Sequence, residues 1–248
     1  MVDTFGKIMR DAAEGEDSSY IIERDDGFIR HTSGDAYVKQ FEEWGAPEQE
    51  AMKEIKGPVL DVGCGAGRVG DYVKNLGLEY YGLDLSPLAV DVCRRKGHKN
   101  VFVMSADNIQ LDRQDFRTVV LFGNNFGIMG QPEGVVKMLK GFHQITTEDA
   151  VILAGSLDPM KTDDEMHLAY HAKNIAEGNP PGLVRLRNRY NGEVDDWWYL
   201  LLAGKELMSE LAEKAGWYLD HIVGGPTMRR ELETYNVGVL KKKRSSTI

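Results

Sequence analysis

Apolar runs alternate with segments of helical spacing from Pro58 onward. This alternation is typical of βαβ units, and it predicts an α/β fold with a mostly parallel, doubly wound sheet. One more helix and two more strands follow, which brings the predicted sheet to seven strands with an antiparallel C-terminal strand. The predicted strands span 58–62, 79–84, 100–104, 117–122, 149–156, 217–223 and 234–240, and the predicted helices span 66–76, 87–96, 132–143 and 205–215.

The segment before this sheet has a weaker pattern. Residues 1–32 are rich in acidic residues and glycine and show little periodicity, so we interpret them as a loosely ordered arm. Apolar side chains then recur with helical spacing, which predicts a helix from Asp35 that stops at Gly45, and a second short helix is expected at 48–55. These helices should form an N-terminal cap. The apolar side chains of the first helix are Tyr37, Val38, Phe41 and Trp44.

Residues 157–204 interrupt the rhythm of strands and helices. A polar helix is predicted around 163–177, and strand-like runs lie on either side of Asn191-Gly192. This dipeptide favours a two-residue hairpin turn, because both positions of that turn need positive φ. The segment is therefore predicted to be an inserted helix and hairpin that joins the sheet or covers its rim.

Composition narrows the classes of partner. The formal net charge of −9 repels a phosphate backbone, so nucleic acid is not an expected partner. No run approaches the roughly 20 apolar residues of a membrane span, and MVDTFGKIMR lacks the apolar core of a signal peptide, so we expect a cytoplasmic protein without a membrane partner.

Cys64 and Cys93 fit neither a disulfide framework nor a zinc site, and we expect reduced thiols and no metal. The basic run at 241–244 is interpreted as a solvated tail.

The stretch VLDVGCGAGRVG at 59–70 matches two fingerprints. Gly65, Gly67 and Gly70 form the G-x-G-x-x-G of dinucleotide binders, whereas Asp61, Gly63, Gly65 and Gly67 form D-x-G-x-G-x-G. Both patterns place glycines at the turn from the first strand into the first helix, where the backbone can approach a ligand closely. The glycines therefore predict a nucleotide-like cofactor without deciding which one.

Asp61 favours a cationic cofactor at this turn. Its carboxylate lies at the end of the strand, two positions before the first glycine, where it should point into the cofactor crevice. A dinucleotide would bring its pyrophosphate close to this charge, and the repulsion costs about 1 kcal/mol in water and several times more in a partly dry cleft. S-adenosylmethionine instead offers an ammonium and a sulfonium group, which a carboxylate attracts.

Polar side chains also end the next three strands. Asp84 is placed to accept hydrogen bonds from the two hydroxyls of a ribose, a role that would serve NAD equally well. Asp107 and Asn108 lie at the third strand tip, where a carboxylate can accept from an adenine amino group. Asn124 lies at the fourth. Four consecutive strand tips thus carry polar groups on one edge of the predicted sheet.

These motifs resemble those of class I S-adenosylmethionine-dependent methyltransferases. LDVGCGAG is the most specific match, and LDLSPLAV and SADNI add to it. The resemblance covers 58 to about 156 and, less specifically, 205–240. It implies that Asp61, Gly63 and Gly65 line the methionine moiety, Asp84 holds the ribose, Leu85 packs on the adenine, Asp107 and Asn108 bind its amino edge, and Asn124 lies beside the sulfonium. The cofactor-binding residues expected from it are Asp61, Gly63, Cys64, Gly65, Gly67, Asp84, Leu85, Ala106, Asp107, Asn108 and Asn124, with Cys64 a small filler without a chemical role.

The resemblance also implies a domain organisation and a reaction. We expect transfer of a methyl group to a small molecule by in-line displacement, leaving S-adenosylhomocysteine. Family members that methylate nucleobase amines usually carry a D-P-P-Y or N-P-P-Y motif where this chain has GNNFG, which argues against that acceptor. We expect one domain over 1–248: an arm and cap helices at 1–56, a Rossmann-like core at 57–156 and 205–241, and an insertion at 157–204 that covers the active site.

Three alternatives stay open from the sequence. The chain could be a nicotinamide-dependent oxidoreductase, a methyltransferase acting on a protein or tRNA, or a cofactor-binding module without turnover. The sequence leaves a monomer and a dimer equally open.

The inserted helix supplies candidate catalytic side chains. His167, Tyr170, His171 and Asn174 fall on one helical face, and His167, His171 or Tyr170 could serve the acceptor, with a histidine as general base. Asp163, His167 and His171 also have a spacing compatible with a metal, but no further ligands accompany them. The ordinary interpretation is a helix that covers the sheet rim.

The inserted hairpin supplies a second candidate surface. Arg185, Arg187 and Arg189 alternate along one strand and share a face, which could bind an acidic substrate group. The alternative is pairing with Glu193, Asp195 and Asp196 on the partner strand, in which case the arginines form a solvated face.

Overall fold

The computed structural model describes residues 2–224 and 234–243, and these form two β-sheets flanked by helices. The larger sheet has seven strands in the order β11-β12-β7-β6-β3-β4-β5, and only β12 runs antiparallel to the others. The smaller sheet has the order β10-β8-β1-β2, with β9 paired to β8. The strands are β1 (Ser19–Arg24), β2 (Ile29–Ser33), β3 (Val59–Val62), β4 (Tyr80–Asp84), β5 (Val101–Val103), β6 (Phe116–Leu121), β7 (Thr146–Leu157), β8 (Leu183–Tyr190), β9 (Glu193–Val194), β10 (Trp198–Leu201), β11 (Trp217–Val223) and β12 (Tyr235–Lys242).

Helices cover the seven-stranded sheet, and residues that favour helix starts mark where two of them begin. Ser86 caps its helix, since its hydroxyl accepts a hydrogen bond from the N–H of Ala89, and Pro87 occupies the first helical position. Pro132 likewise occupies the first position of another helix, although the side chain of Gln131 before it makes no capping hydrogen bond. The helices are α1 (Thr4–Glu14), α2 (Ala46–Ala51), α3 (Arg68–Asn75), α4 (Pro87–Arg95), α5 (Pro132–Ile145), α6 (Glu165–Ala176) and α7 (Lys205–Lys214).

The predicted seven-stranded sheet is confirmed, with each strand within a few residues of its expected bounds. Its strand order reverses at β3, because β4 and β5 lie on one side of it and β6 and β7 on the other. In open sheets of this kind the ligand crevice lies at the carboxyl ends of the two strands that flank such a reversal. The loops after β3 and β6 are therefore the place where a cofactor is expected.

The prediction of a loosely ordered arm at 1–32 is wrong. This segment forms α1 and the hairpin of β1 and β2, and β1 pairs with β8 of the insertion over Ile21 to Arg24. The insertion therefore neither joins the large sheet nor stands alone, because its strands complete a separate sheet with the N-terminal hairpin. Asn191 and Gly192 do form the predicted turn, with φ of 48° and 79°.

Two further expectations need correction. The helix expected at 35–44 is two short 3-10 helices, Gly34–Tyr37 and Phe41–Glu43, because Phe41 stacks flat on Tyr72 of α3 at 3.9 Å between ring centroids and fixes an irregular path. The basic run is not a solvated tail. Lys242 ends β12 with its side chain buried, and its ammonium donates to two backbone carbonyls at 2.7 Å. Arg244 lies outside the described residues.

Candidate functional site

The loop after β3 has a backbone that only glycine adopts easily. Gly63, Gly65 and Gly67 have φ of 70°, 53° and 80°, in the left-handed region. A Cβ on Gly65 would also lie 3.1 Å from the sulfur of Met9 on α1. The loop therefore turns sharply into α3 and leaves its backbone open to close approach by a ligand.

Asp61 lies at the end of β3 with its side chain almost fully buried, at 3% exposure. Its carboxyl accepts a hydrogen bond from the hydroxyl of Tyr80 at 2.9 Å. Burial raises the pKa of Asp61 to about 7, and the Tyr80 hydrogen bond and the nearby charge of Arg68 oppose that rise. A cation placed against this carboxyl would restore its charge.

Asp84 ends the neighbouring strand β4 and binds two backbone groups. One carboxylate oxygen accepts from the N–H of Gly65 and the other from the N–H of Ser86, both at 2.9 Å. Asp84 thus braces the glycine loop through the N–H of Gly65. Burial raises the pKa of Asp84. The next residue, Leu85, leaves 67% of its surface exposed, an apolar face beside the crevice.

The loop after β5 holds the remaining residues expected near an adenine. Asp107 accepts from the hydroxyl of Ser105 at 2.5 Å and forms an ion pair with Lys137 at 2.9 Å. These two contacts lower the pKa of Asp107, so its carboxylate stays ionised. Ala106 is half-buried and Asn108 is exposed beside it. The loop thus lies at the surface, and Asp107 already has partners there.

Two asparagines tie the loop after β6 to its neighbours, Asn124 to the end of β7 and Asn125 to the glycine loop. Asn124 has φ of 74°, and its side-chain oxygen accepts from the N–H of Leu157 at 2.8 Å. The amide nitrogen of Asn125 donates to the carbonyl oxygens of Val62 and Gly63 at 2.9 and 3.1 Å. These bonds span the point where the strand order reverses and hold the two loops at a fixed separation.

A cavity of about 1920 Å³ lies beside these loops, between the smaller sheet and helix α6. Gly123 and Asn124 line its edge, so it meets the tip of β6. Side chains alternate across a strand, and those on the inner face of the smaller sheet form the cavity wall. That wall includes Tyr20, Ile22, Arg24, Leu186, Asn188 and Leu200.

Solved structures with the same fold belong to methyltransferases. An S-adenosylmethionine-dependent methyltransferase from Bacteroides fragilis, in complex with S-adenosyl-L-homocysteine, shares 19% identity with a TM-score of 0.80 and covers 97% of this chain and 94% of its own. The CcbJ methyltransferase from Streptomyces caelestis shares 15% identity with a TM-score of 0.59, and the match covers 84% of this chain and 98% of CcbJ. The sugar N-methyltransferase KedS8 from Streptoalloteichus sp. shares 16% identity with a TM-score of 0.51, and the match covers 85% of this chain and 90% of KedS8. At these identities the similarity concerns the fold.

Residues 59–149 match a family model described as a methyltransferase domain. This part of the chain is a methyltransferase domain, and the chain as a whole has the fold of S-adenosylmethionine-dependent methyltransferases. Its cofactor is therefore S-adenosylmethionine, and the nicotinamide alternative falls away. A search of curated proteins found no match.

The residues around the crevice of this methyltransferase fit that cofactor. The buried carboxyl of Asp61 suits the cationic ammonium of the cofactor's methionine moiety, and the exposed apolar side of Leu85 suits its flat adenine ring.

Across the described part of the chain, no three His, Cys, Asp or Glu side chains are grouped to hold a metal ion. Nor does any helix within 2–224 or 234–243 have the length and apolar character to cross a membrane.

The predicted catalytic residues of the methyltransferase separate into two sets. His167 and His171 line the cavity. Tyr170 does not reach it: its hydroxyl donates to Asp25 at 2.7 Å and accepts from the N–H of Arg185, which gives it a structural role. Asn174 likewise donates to backbone carbonyls of the loop before β8.

The arginines of β8 alternate along the strand with the cavity-lining residues Leu186 and Asn188, and Arg189 also reaches the cavity edge. Arg187 and Arg189 bind Glu23 of β1 at 2.8 and 2.6 Å, rather than the acids expected across the hairpin. These bonds lower the pKa of Glu23 to about 2. Arg185 packs over the rings of Trp197 and Tyr199. These contacts support the interpretation that the arginines form a solvated face. Their acidic partner is Glu23 of β1, not the acids after Gly192.

Sequence reasoning missed several residues of the site because it missed the N-terminal strands. Arg24 lies buried in the cavity wall, and Met9 and Tyr37 lie beside the cofactor loop and the cavity edge. A signal was present: Asp26-Gly27 separates two strand-like runs, SYIIER and IRHTS, and such a dipeptide favours a hairpin. Tyr80 carried no signal of its own, since its partnership with Asp61 depends on the pairing of β3 and β4.

Proposed function

We propose that this methyltransferase acts on a small molecule that binds in the cavity between the smaller sheet, α6 and the tip of β6. The cavity is the observation that carries the proposal. Its volume of about 1920 Å³ exceeds the roughly 300–1,000 Å³ of common ligand pockets, which leaves room for an acceptor of moderate size. Polar and charged side chains such as Arg24, Asn188 and His167 line it together with apolar ones such as Ile22, Leu186 and Leu200, which suits an acceptor that has both polar and apolar parts.

The cavity reaches the edge where methyl transfer would occur. Asn124 belongs both to the loop after β6 and to the cavity lining, and Tyr37 lines the cavity near the charges of Asp84 and Arg68. An acceptor in the cavity would therefore lie against the cofactor crevice. Orientation of the acceptor is the main contribution a protein can make here, because the cofactor supplies a methyl group already activated on a cationic sulfur.

Within the crevice we assign the cofactor contacts to the strand tips. Asp61 would bind the ammonium group, Asp84 the ribose and Leu85 the adenine. The backbone of Gly63 and Gly65 would lie along the methionine moiety. For Asp107 the adenine contact would compete with the ion pair to Lys137, so we give this residue the smallest share of the binding.

His171 is the candidate base for an acceptor that carries a proton. Its side chain is 7% exposed, and Nδ1 has no hydrogen-bond partner among the described residues. Burial, together with the nearby charge of Arg24, lowers the pKa of His171. The imidazole is therefore neutral at physiological pH and able to accept a proton.

The proposed function is tested by offering purified protein a panel of amino sugars, polyols, phenols and amines with S-adenosylmethionine. Formation of S-adenosylhomocysteine and a methylated product by mass spectrometry would support it. Turnover only with tRNA or protein acceptors would contradict it. KedS8, which has a similar fold, is a sugar N-methyltransferase, and this is the reason to include amino sugars in the panel.

A matched pair of variants tests whether the acceptor binds in the cavity, independently of cofactor binding. Leu186 lines the cavity, and its neighbour Arg187 extends from the opposite face of β8. Leu186→Trp should fill the cavity and abolish methylation while S-adenosylhomocysteine still binds, whereas Arg187→Trp should keep activity. Equal activity in both variants would place the acceptor elsewhere.

His171→Gln tests the base. General base catalysis contributes roughly 100- to 10,000-fold in rate, so kcat should fall within that range while cofactor affinity is retained. In the wild type, activity should persist to a pH below the usual histidine range and then decline as His171 is protonated. An unchanged kcat in the variant would remove His171 from the mechanism.

A further inference from the structure

Arg24 occupies an unusual position in the cavity wall of this methyltransferase. It is an arginine with only 5% of its surface exposed. Its guanidinium binds the carboxylate of Asp26 through two hydrogen bonds, at 2.9 and 2.7 Å. It also lies over the rings of Tyr170, at 4.2 Å, and Phe28, at 5.0 Å. The ion pair and the two rings fix its orientation.

The remaining nitrogen of this guanidinium contacts a histidine. Nη1 of Arg24 lies 3.1 Å from Nδ1 of His167. A guanidinium is always protonated and can only donate, so Nδ1 of His167 must be the acceptor and carry no proton. The single proton of the neutral ring is then on Nε2. Phe28 packs edge-to-face with the imidazole at 4.8 Å between centroids, which holds the ring in place.

We propose that Arg24 is a positioning residue that fixes His167 as its neutral Nε2–H tautomer, so that His167 donates a hydrogen bond to an oxygen atom of the acceptor. This inference rests on the proposed function, since it concerns the acceptor in the cavity. It divides the two histidines of α6 between two roles. His167 presents a donor, and His171 presents a lone pair. The acceptor should therefore carry a hydroxyl, ether or carbonyl oxygen close to the atom that is methylated.

The tautomer can be observed directly in the full-length protein without any acceptor. Long-range ¹H–¹⁵N spectra of the imidazole rings, with His167 assigned by loss of its signals in His167→Gln, should show Nδ1 unprotonated and Nε2 protonated at pH 7.5. A proton on Nδ1 in the wild type would overturn the inference. This spectrum does not depend on turnover, so it can fail while the proposed function holds, and the reverse is also true.

Two substitutions test the role of Arg24. Arg24→Met removes the donor and retains bulk, and His167 should then show a mixture of tautomers. Arg187→Met is the matched control, because Arg187 lies on the outer face of the same sheet, and it should leave the His167 signals unchanged. An unchanged tautomer in Arg24→Met would overturn the inference. If that variant does not fold, the wild-type spectrum still decides.

Kinetics test the oxygen contact with the best acceptor of the panel. His167→Gln keeps a side-chain donor and His167→Leu removes it. We expect KM to rise about tenfold in the leucine variant, the effect of losing roughly 1.4 kcal/mol of binding, with partial rescue by glutamine and little change in kcat. Equal KM values in the two variants would contradict a hydrogen bond to the acceptor.

Discussion

The buried carboxyl of Asp61 makes a quantitative prediction about pH. In the free protein the pKa of Asp61 is raised by burial to about 7. If its carboxylate binds the ammonium of the cofactor, binding requires the ionised form, and the acidic protein binds less tightly. The amino group of the ligand titrates near 7.7–8.0, so it is almost fully protonated at pH 6 and still mostly protonated at pH 7.5.

The size of the effect follows from that pKa. With a value of about 7, roughly three quarters of the molecules are ionised at pH 7.5 and about one in eleven at pH 6, so this carboxyl alone should lower the affinity for S-adenosylhomocysteine about eightfold. The partial loss of the ligand's ammonium charge at pH 7.5 reduces the observed fall to roughly fivefold to sixfold. Binding at pH 6 should also release about 0.9 proton per molecule, since the bound carboxyl becomes fully ionised. Calorimetry in buffers of different ionisation enthalpy measures both quantities.

Asp61→Asn should remove this dependence and bind weakly at every pH. Asp149→Asn is the control, because the ion pair and hydrogen bonds of Asp149 lower its pKa to about 2 and it does not titrate in this range. Affinity that stays flat between pH 5.5 and 7.5 in the wild type, or an Asp61→Asn variant with normal affinity, would refute the reasoning.

The same raised pKa has a consequence for the stability of the free protein. The unfolded carboxyl ionises near its ordinary value of 3.8, whereas the folded one keeps its proton until about pH 7. The folded state therefore binds more protons between these values, and its stability should decline as pH rises through this window, by up to about 4 kcal/mol. Thermal unfolding of the wild type and of Asp61→Asn between pH 4 and 8 tests this, since the variant should lack the decline.

Two further predictions concern the surroundings of the site. Tyr80→Phe removes the hydrogen bond that favours ionised Asp61, and a bond to a charged group contributes about 1.5–3 kcal/mol. Affinity for S-adenosylhomocysteine at pH 7 should therefore fall about tenfold or more, and unchanged affinity by calorimetry would contradict this. Gly127→Ala places a Cβ against the backbone oxygen of Leu201 and should lower stability by about 1–3 kcal/mol, measured as a fall in Tm. Gly141→Ala is its control, because this helical position has open space around it and should gain roughly 0.5–1 kcal/mol. Equal Tm values in the two alanine variants would contradict the predicted contact.

The sequence alone determined the large sheet and favoured one class of cofactor. Strand and helix periods are local, so β3 to β7 and the helices between them were predicted within a few residues. The pattern from Asp61 to Gly67 combines glycines that reach positive φ with a carboxylate at a strand end, and both properties belong to neighbours in the chain. The strand order then placed the predicted loops on one edge, because parallel strands share the direction of their carboxyl ends.

Only the tertiary structure decided the composition of the acceptor site. The cavity wall comes from β1 and β8, about 160 residues apart in sequence, and their pairing is not encoded by any local period. Whether an alternating strand turns its arginines inward or outward depends on that partner, and here Glu23 draws Arg187 to the outer face. The pKa of Asp61 and the tautomer of His167 likewise depend on contacts between distant segments, because burial and hydrogen-bond direction exist only after the chain has folded.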